Sequence, residues 1–241
     1  MYISSMKPTL PSIGSTVKLF AILLIFASTH VGATDRERRT VLFVGDSITA
    51  GLGIDEDQAF PAIIQARLDS LEWPVKAINA GLSGETSSGG LRRINWLLKQ
   101  KVDVLVLELG ANDGLRGVDL SLTDKNLRSI VSRTKETYPE CEIVIAGMQV
   151  PTNLGEAYTT TFRTMFEKIA ADTESHLIPF LLEGVGGVPE LNLPDGKHPT
   201  AEGHRILAEN VWAILGPILE VKSKAPPSSA KASEGRHMDT D

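Results

Sequence analysis

The chain has 241 residues, of which 42% are hydrophobic and 22% charged, the balance of an ordinary globular protein. Its formal charge of -6 gives no basic footprint for nucleic acid, which argues against that class of partner. Cys141 is the single cysteine, which excludes an internal disulfide and a cysteine-based zinc site.

The first thirty-odd residues read as a targeting segment. Lys18 precedes the apolar run Leu19 to Ala27, and Val31-Gly32-Ala33 supplies small residues for cleavage, so residues 1–33 are expected to form a signal peptide. The run is shorter than the ~20 apolar residues that span a bilayer, which makes an N-terminal anchor the second reading. Export to the periplasm or beyond is the expectation. At the other end, residues 222–241 are polar and aperiodic, and such a stretch buries too little apolar surface to offset its ordering entropy. Residues 34–221 remain as one domain.

Within that domain, Val41 to Val44 runs as a buried strand into Gly45-Asp46-Ser47, a sharp turn that lifts a hydroxyl off the end of a sheet. Phe60 to Leu71 places Ile64, Leu68 and Leu71 at helical spacing, and Val75 to Ala80 reads as a second strand. Leu91 to Gln100 reads as a helix, and Val102 to Leu109 as a strand apolar enough to be covered on both faces. A long helix over Ser121 to Tyr138 is stopped by Pro139, and Ile143 to Met148 is the fourth strand. Tyr158 to Ala171 repeats at helical spacing, Leu177 to Leu182 is the fifth strand, and the loop Gly184 to Pro199 leads to a last helix from Ala201. Alternation of this kind implies a doubly wound, three-layer α/β/α domain, flavodoxin-like, with a parallel five-stranded sheet.

Ligands bind beyond the carboxyl ends of such strands, and four suggestive segments fall there: Gly45-Asp46-Ser47-Ile48, Gly81 to Thr86, Gly110 to Gly114, and Asp195-Gly196-Lys197-His198. Each alone is an ordinary turn. Together they hold the parts of acyl transfer. Ser47 needs a base to take its proton, and His198 is the candidate. Asp195, three residues earlier, can hold the other ring nitrogen and stabilise the imidazolium. The Asn112 amide and the backbone N–H groups of Gly84 and Ser47 can serve as oxyanion donors. Asp46 and Asp113 read as turn and loop organisers, and the carboxylate of Glu108, one position short of a strand end, must be paired by its neighbours. His204 reads as a cap or a solvated side chain, and His176 as structural. Leu115, Val118, Leu154, Val185, Val188 and Leu191 are the apolar residues of the loops expected to set substrate choice.

Gly45-Asp46-Ser47-Ile48, Gly84, Gly110-x-Asn112-Asp113 and Asp195-x-x-His198 resemble, in order, the four signature blocks of the SGNH or GDSL hydrolases. Asn79 to Ser87, Leu107 to Gly114 and Leu191 to Pro199 are similar to the exported bacterial arylesterase, acyl-CoA thioesterase and lysophospholipase branch. The resemblance spans Arg39 to about Leu219. It implies a metal-independent serine hydrolase, without cofactor, with Ser47, Asp195 and His198 catalytic and Gly84 and Asn112 completing the oxyanion hole. The implied substrates are small esters, thioesters or lysophospholipids, with no obligate protein partner. Lys197 stands where that branch often has an apolar residue. Acyl transfer or carbohydrate O-deacetylation would use the same parts. A flavodoxin-like nucleotide or flavin binder is the alternative of another class, although no Gly-x-Gly-x-x-Gly or Walker-type loop follows a strand.

Overall fold

Five parallel strands in the order β2-β1-β3-β4-β5 form the sheet of the computed structural model, which describes residues 38–224. The strands are β1 (Arg39–Gly45), β2 (Val75–Gly81), β3 (Val104–Glu108), β4 (Glu142–Ala146) and β5 (His176–Ile178). Between and after them run α1 (Ser47–Ala50), α2 (Phe60–Ser70), α3 (Ser87–Leu97), α4 (Ala111–Leu115), α5 (Leu120–Thr137), α6 (Glu156–Asp172) and α7 (Ala201–Lys224). The proposed signal peptide and most of the proposed tail lie outside the described residues. α7 continues three residues past the expected domain end at 221.

The central strands are apolar because both faces are covered. β3 is buried along its whole length and β1 over its last five residues. α2 packs with α7 on one side, while α3, α5 and α6 follow one another on the other, giving the three expected layers. Arg67 of α2 fastens the first pair, forking onto Glu209 at 2.6 and 3.0 Å while lying 5.0 Å over the Trp212 ring. The edge strand β2 has its outward groups occupied from within. Ala77 N–H donates to Gln65 Oε1 at 2.7 Å and Gly81 N–H to Asn79 Oδ1 at 2.9 Å, which leaves little to template another strand.

β5 and α3 have ends that differ from the sequence expectation for a local reason. β5 stops at Ile178 rather than Leu182, because Pro179 has no N–H to continue a ladder and the chain turns back so that Leu181 N–H reaches Gly147 O. α3 begins at Ser87 rather than Leu91, despite Gly89 and Gly90. A Cβ at Gly90 would lie 2.3 Å from Leu109 Cδ1, so this glycine serves helix–sheet packing rather than breaking the helix. Among the described residues no helix is long and apolar enough to cross a membrane.

The register decides where the chemistry gathers. Gly45 pairs with Gly81 on one side and Glu108 on the other, so β1, β2 and β3 end in one row. The order reverses at β1, and the crevice between the ends of β1 and β3 is the topological switch point.

Candidate active site

The turn after β1 carries Ser47 as the first residue of α1, with Asp46 as its N-cap. Asp46 Oδ1 accepts the Ile48 N–H at 3.0 Å. Beneath it, Glu108 Oε2 accepts the Asp46 N–H at 3.1 Å and the Thr49 hydroxyl at 2.7 Å. Gly45 is required sterically: a Cβ there would lie 2.0 Å from Thr49 Oγ1 and 2.5 Å from Glu108 Oε2. As the first helical residue, Ser47 has a backbone N–H with no acceptor in the helical ladder.

His198 arrives on the loop before α7. An antiparallel bridge between Asn192 and Pro199 closes that loop, with Leu193 N–H on His198 O at 2.7 Å. Asn192 anchors it to the body, donating to Val185 O and Val188 O at 2.7 and 2.8 Å. Inside the loop, Asp195 Oδ1 accepts the N–H groups of Lys197 and His198 at 2.9 and 3.1 Å, and Oδ2 lies 2.6 Å from His198 Nδ1. The His198 ring, followed by those two N–H groups, holds the Asp195 carboxyl well below the usual carboxylate range. A carboxylate only accepts, so Nδ1 carries the proton and Nε2 faces Ser47 Oγ, 2.8 Å away, as an acceptor. Ser47, Asp195 and His198 are thus brought into one hydrogen-bonded row.

Asn112 lies on α4 rather than in an irregular loop. Its Nδ2 donates to Asp46 Oδ2 at 2.9 Å, which leaves the second N–H of that amide free of this bond. Gly84 adopts φ +79, a conformation that L side chains rarely take, which accounts for glycine there better than lack of space. Asp113 points away from the cleft: it takes the Ser87 N–H at 2.8 Å and hydroxyl at 2.6 Å, and so ties α4 to the start of α3. The stretch between is pinned by Glu85, whose carboxylate is gripped by Arg93, while Arg93 also donates to Ala80 O at 2.6 Å.

Burial raises the pKa of both acids under the turn. For Asp46 the Ile48 N–H and the Asn112 amide pull it back down; for Glu108 the charge of Asp46 adds to burial and drives it well above the ordinary range. Glu108 Oε1 has no hydrogen-bond partner among the described residues. Burial and the charge of Asp46 therefore weigh against ionisation of the acid beneath Ser47. His204 is buried rather than solvated, and it caps not its own helix but the start of α2. Its Nδ1 accepts the Phe60 N–H at 3.2 Å, its ring stacks on Phe60, and burial, then the nearby His198 charge, lowers its pKa to about 4. His176 starts β5 and faces Glu142 at 3.3 Å, at the end of the sheet away from Ser47.

A cleft of about 490 Å³ opens beside Ser47 and His198. Of the loop residues expected to line it, Leu115 does; Val185 is instead fully buried in the core. Most of the apolar wall comes from Met148, Val150 and Pro151 after β4 and from Phe180 and Leu182. Reading residues 177–182 as strand concealed the last two. Lys197 stands at the mouth. The sequence reading also missed Arg116, one helical turn beyond Asn112, a spacing that recognition of α4 would have exposed.

A family model described as the GDSL-like lipase/acylhydrolase family matches residues 43–206. An esterase TesA of Pseudomonas aeruginosa is 40% identical over 182 residues, covering 75% of this chain and 90% of that protein. A thioesterase 1/protease 1/lysophospholipase L1 of Escherichia coli is 34% identical over 202 residues, covering 83% and 91%. Among solved structures, a psychrotrophic esterase EstA of Pseudoalteromonas, inhibited by monoethylphosphonate, superposes with a TM-score of 0.71 at 30% identity, covering 76% of this chain and 99% of that one.

Proposed function

The chain belongs to the GDSL-like lipase/acylhydrolase family and is a serine ester hydrolase, and from that premise we propose that Ser47, His198 and Asp195 carry its chemistry. The observation that carries the assignment is the continuous row from Asp195 Oδ2 through the His198 ring to Ser47 Oγ, at 2.6 and 2.8 Å. Ser47 attacks the acyl carbon while His198 Nε2 takes its proton. Asp195 holds the ring and stabilises the imidazolium. The N–H groups of Ser47 and Gly84 and the second Nδ2 hydrogen of Asn112 receive the oxyanion. Collapse expels the alcohol or thiol with the proton from His198. Water then repeats the sequence on the acyl-serine, releasing the acid and restoring Ser47.

The substrate is a small ester or thioester whose acyl or aryl part lies against Leu115, Met148, Val150, Phe180 and Leu182; lysophospholipids are included in this class. The apolar wall of the cleft, together with the similarity to an esterase and to a thioesterase/lysophospholipase, supports this reading. The protein is exported, with residues 1–33 as its signal peptide and a catalytic domain that follows it; Lys18, Leu19 to Ala27 and Val31-Gly32-Ala33 support the first of these.

Replacing Ser47 by Ala tests the assignment. Hydrolysis of a short-chain aryl ester is expected to fall by on the order of 10⁴-fold or more while the melting temperature holds. A phosphonate should label wild type at Ser47 alone. Near-normal turnover in the variant would overturn the reading.

A further inference from the structure

Gly84 and Asn112 come from different segments, yet an oxyanion hole works only if its donors are fixed before charge develops. Two connections join those segments. The buried one is Asp113 on Ser87. The exposed one is Arg116, whose Nη2 donates to Gly84 O at 3.2 Å and to Asn112 Oδ1 at 3.3 Å. Arg116 closes α4, its own N–H lying 3.2 Å from both Asn112 O and Asp113 O, so the root of the side chain is set by the same helical turn that carries Asn112.

An amide side chain can be turned end for end with little change of shape. Here its two ends have different partners. Asp46 Oδ2 can only accept and lies 2.9 Å from Nδ2, whereas the Arg116 guanidinium can only donate and lies against Oδ1. Between them they specify which end of the amide faces the cleft. The bond to Gly84 O fixes in addition the peptide that follows Gly84, at a residue whose lack of a Cβ would let the backbone take other conformations.

We propose that Arg116 is a positioning residue of the oxyanion hole, holding the Asn112 amide and the Gly84 backbone in their catalytic orientation without touching the substrate. The proposal rests on the reading that Gly84 and Asn112 receive the oxyanion.

The test is a cycle of Arg116→Ala, Arg116→Lys, Asn112→Ala and the Arg116→Ala/Asn112→Ala double variant on a neutral aryl ester. Asn112→Ala should lower kcat by about 10²-fold, the scale of one lost oxyanion donor. Arg116→Ala should lower kcat roughly tenfold, with KM unchanged, inactivation by a phosphonate slowed in the same ratio, and the melting temperature within about 2 °C. Lysine, a single point donor, should recover only part, and millimolar guanidinium should partly rescue the alanine variant. In the Asn112→Ala background the Arg116 change should cost much less, because the two act as a unit. Wild-type kcat in Arg116→Ala, or effects that multiply fully in the double variant, would overturn the proposal. So would a change confined to KM, which would make Arg116 a substrate contact. If Asn112→Ala itself turned over normally, the oxyanion reading would fall and take this inference with it.

Discussion

Ser47 and His198 meet across the cleft from opposite kinds of support. The nucleophile side is welded to the sheet: Asp46 and Glu108 are each 1% exposed, and the turn is held from below by bonds to the end of β3. The base side is a surface loop, with the Asp195 side chain 46% exposed and fixed chiefly by bonds inside the loop. Position is secured on one side by burial and on the other by a local turn. The nucleophile side should therefore couple activity to stability, and the base side should not.

His198→Ala is the largest expected break on the base side. Loss of the base should lower kcat by on the order of 10⁴-fold. Because the ring leaves an open cleft and the loop keeps its bridge and its Asn192 anchor, the melting temperature should move by no more than about 2 °C. Kinetics and a thermal scan on one preparation check both halves. A large drop in melting temperature would place the base side, too, in the cooperative core.

Gly45→Ala should break the other side differently. The added Cβ meets Thr49 and Glu108 at distances no folded structure tolerates, and Thr49 Cβ at 2.6 Å cannot swing away as a flexible tip could. Overpacking of this kind costs about 3 kcal/mol, so denaturant unfolding should show a loss of that order together with reduced turnover. Full activity with a lower melting temperature would separate the two properties that the comparison joins.

The same contrast explains what could be read from the residues alone. Ser47, Gly84, Asn112 and the Asp195–His198 pair are legible because each sits in a short block whose neighbours build its turn, and because the alternation of elements places all four blocks at one end of a parallel sheet. Arg116 is not, since its role exists only where the segment after β2 meets α4. His204 is polar in sequence but buried by the packing of α7 against Phe60, a long-range event with no local mark. The cleft wall was hidden because Phe180 and Leu182 look like strand continuing β5, and only Pro179 signals that the ladder ends. Glu108 was visible as an oddity in an apolar strand, although its partners were not.

Glu108→Gln sharpens the comparison with the smallest expected change. The amide keeps an oxygen to accept the Asp46 N–H and the Thr49 hydroxyl, so the turn and the turnover of aryl ester should stay near wild type, whereas an alanine there would strand both donors. The informative difference lies in pH. Burial and the charge of Asp46 raise the Glu108 pKa in the fold, so the folded chain retains a proton that the unfolded chain has released. That contribution is fully present below the ordinary value near 4.5 and is lost as pH rises toward the raised one. Wild type should therefore lose stability relative to Glu108→Gln as pH rises from about 5 to 8, a trend that denaturant unfolding at the two pH values would measure. Parallel pH dependence in the two proteins would mean that Glu108 is ionised beneath the nucleophile. The buried side would then hold a second charge under Asp46, and neutral-acid support of the turn would be wrong.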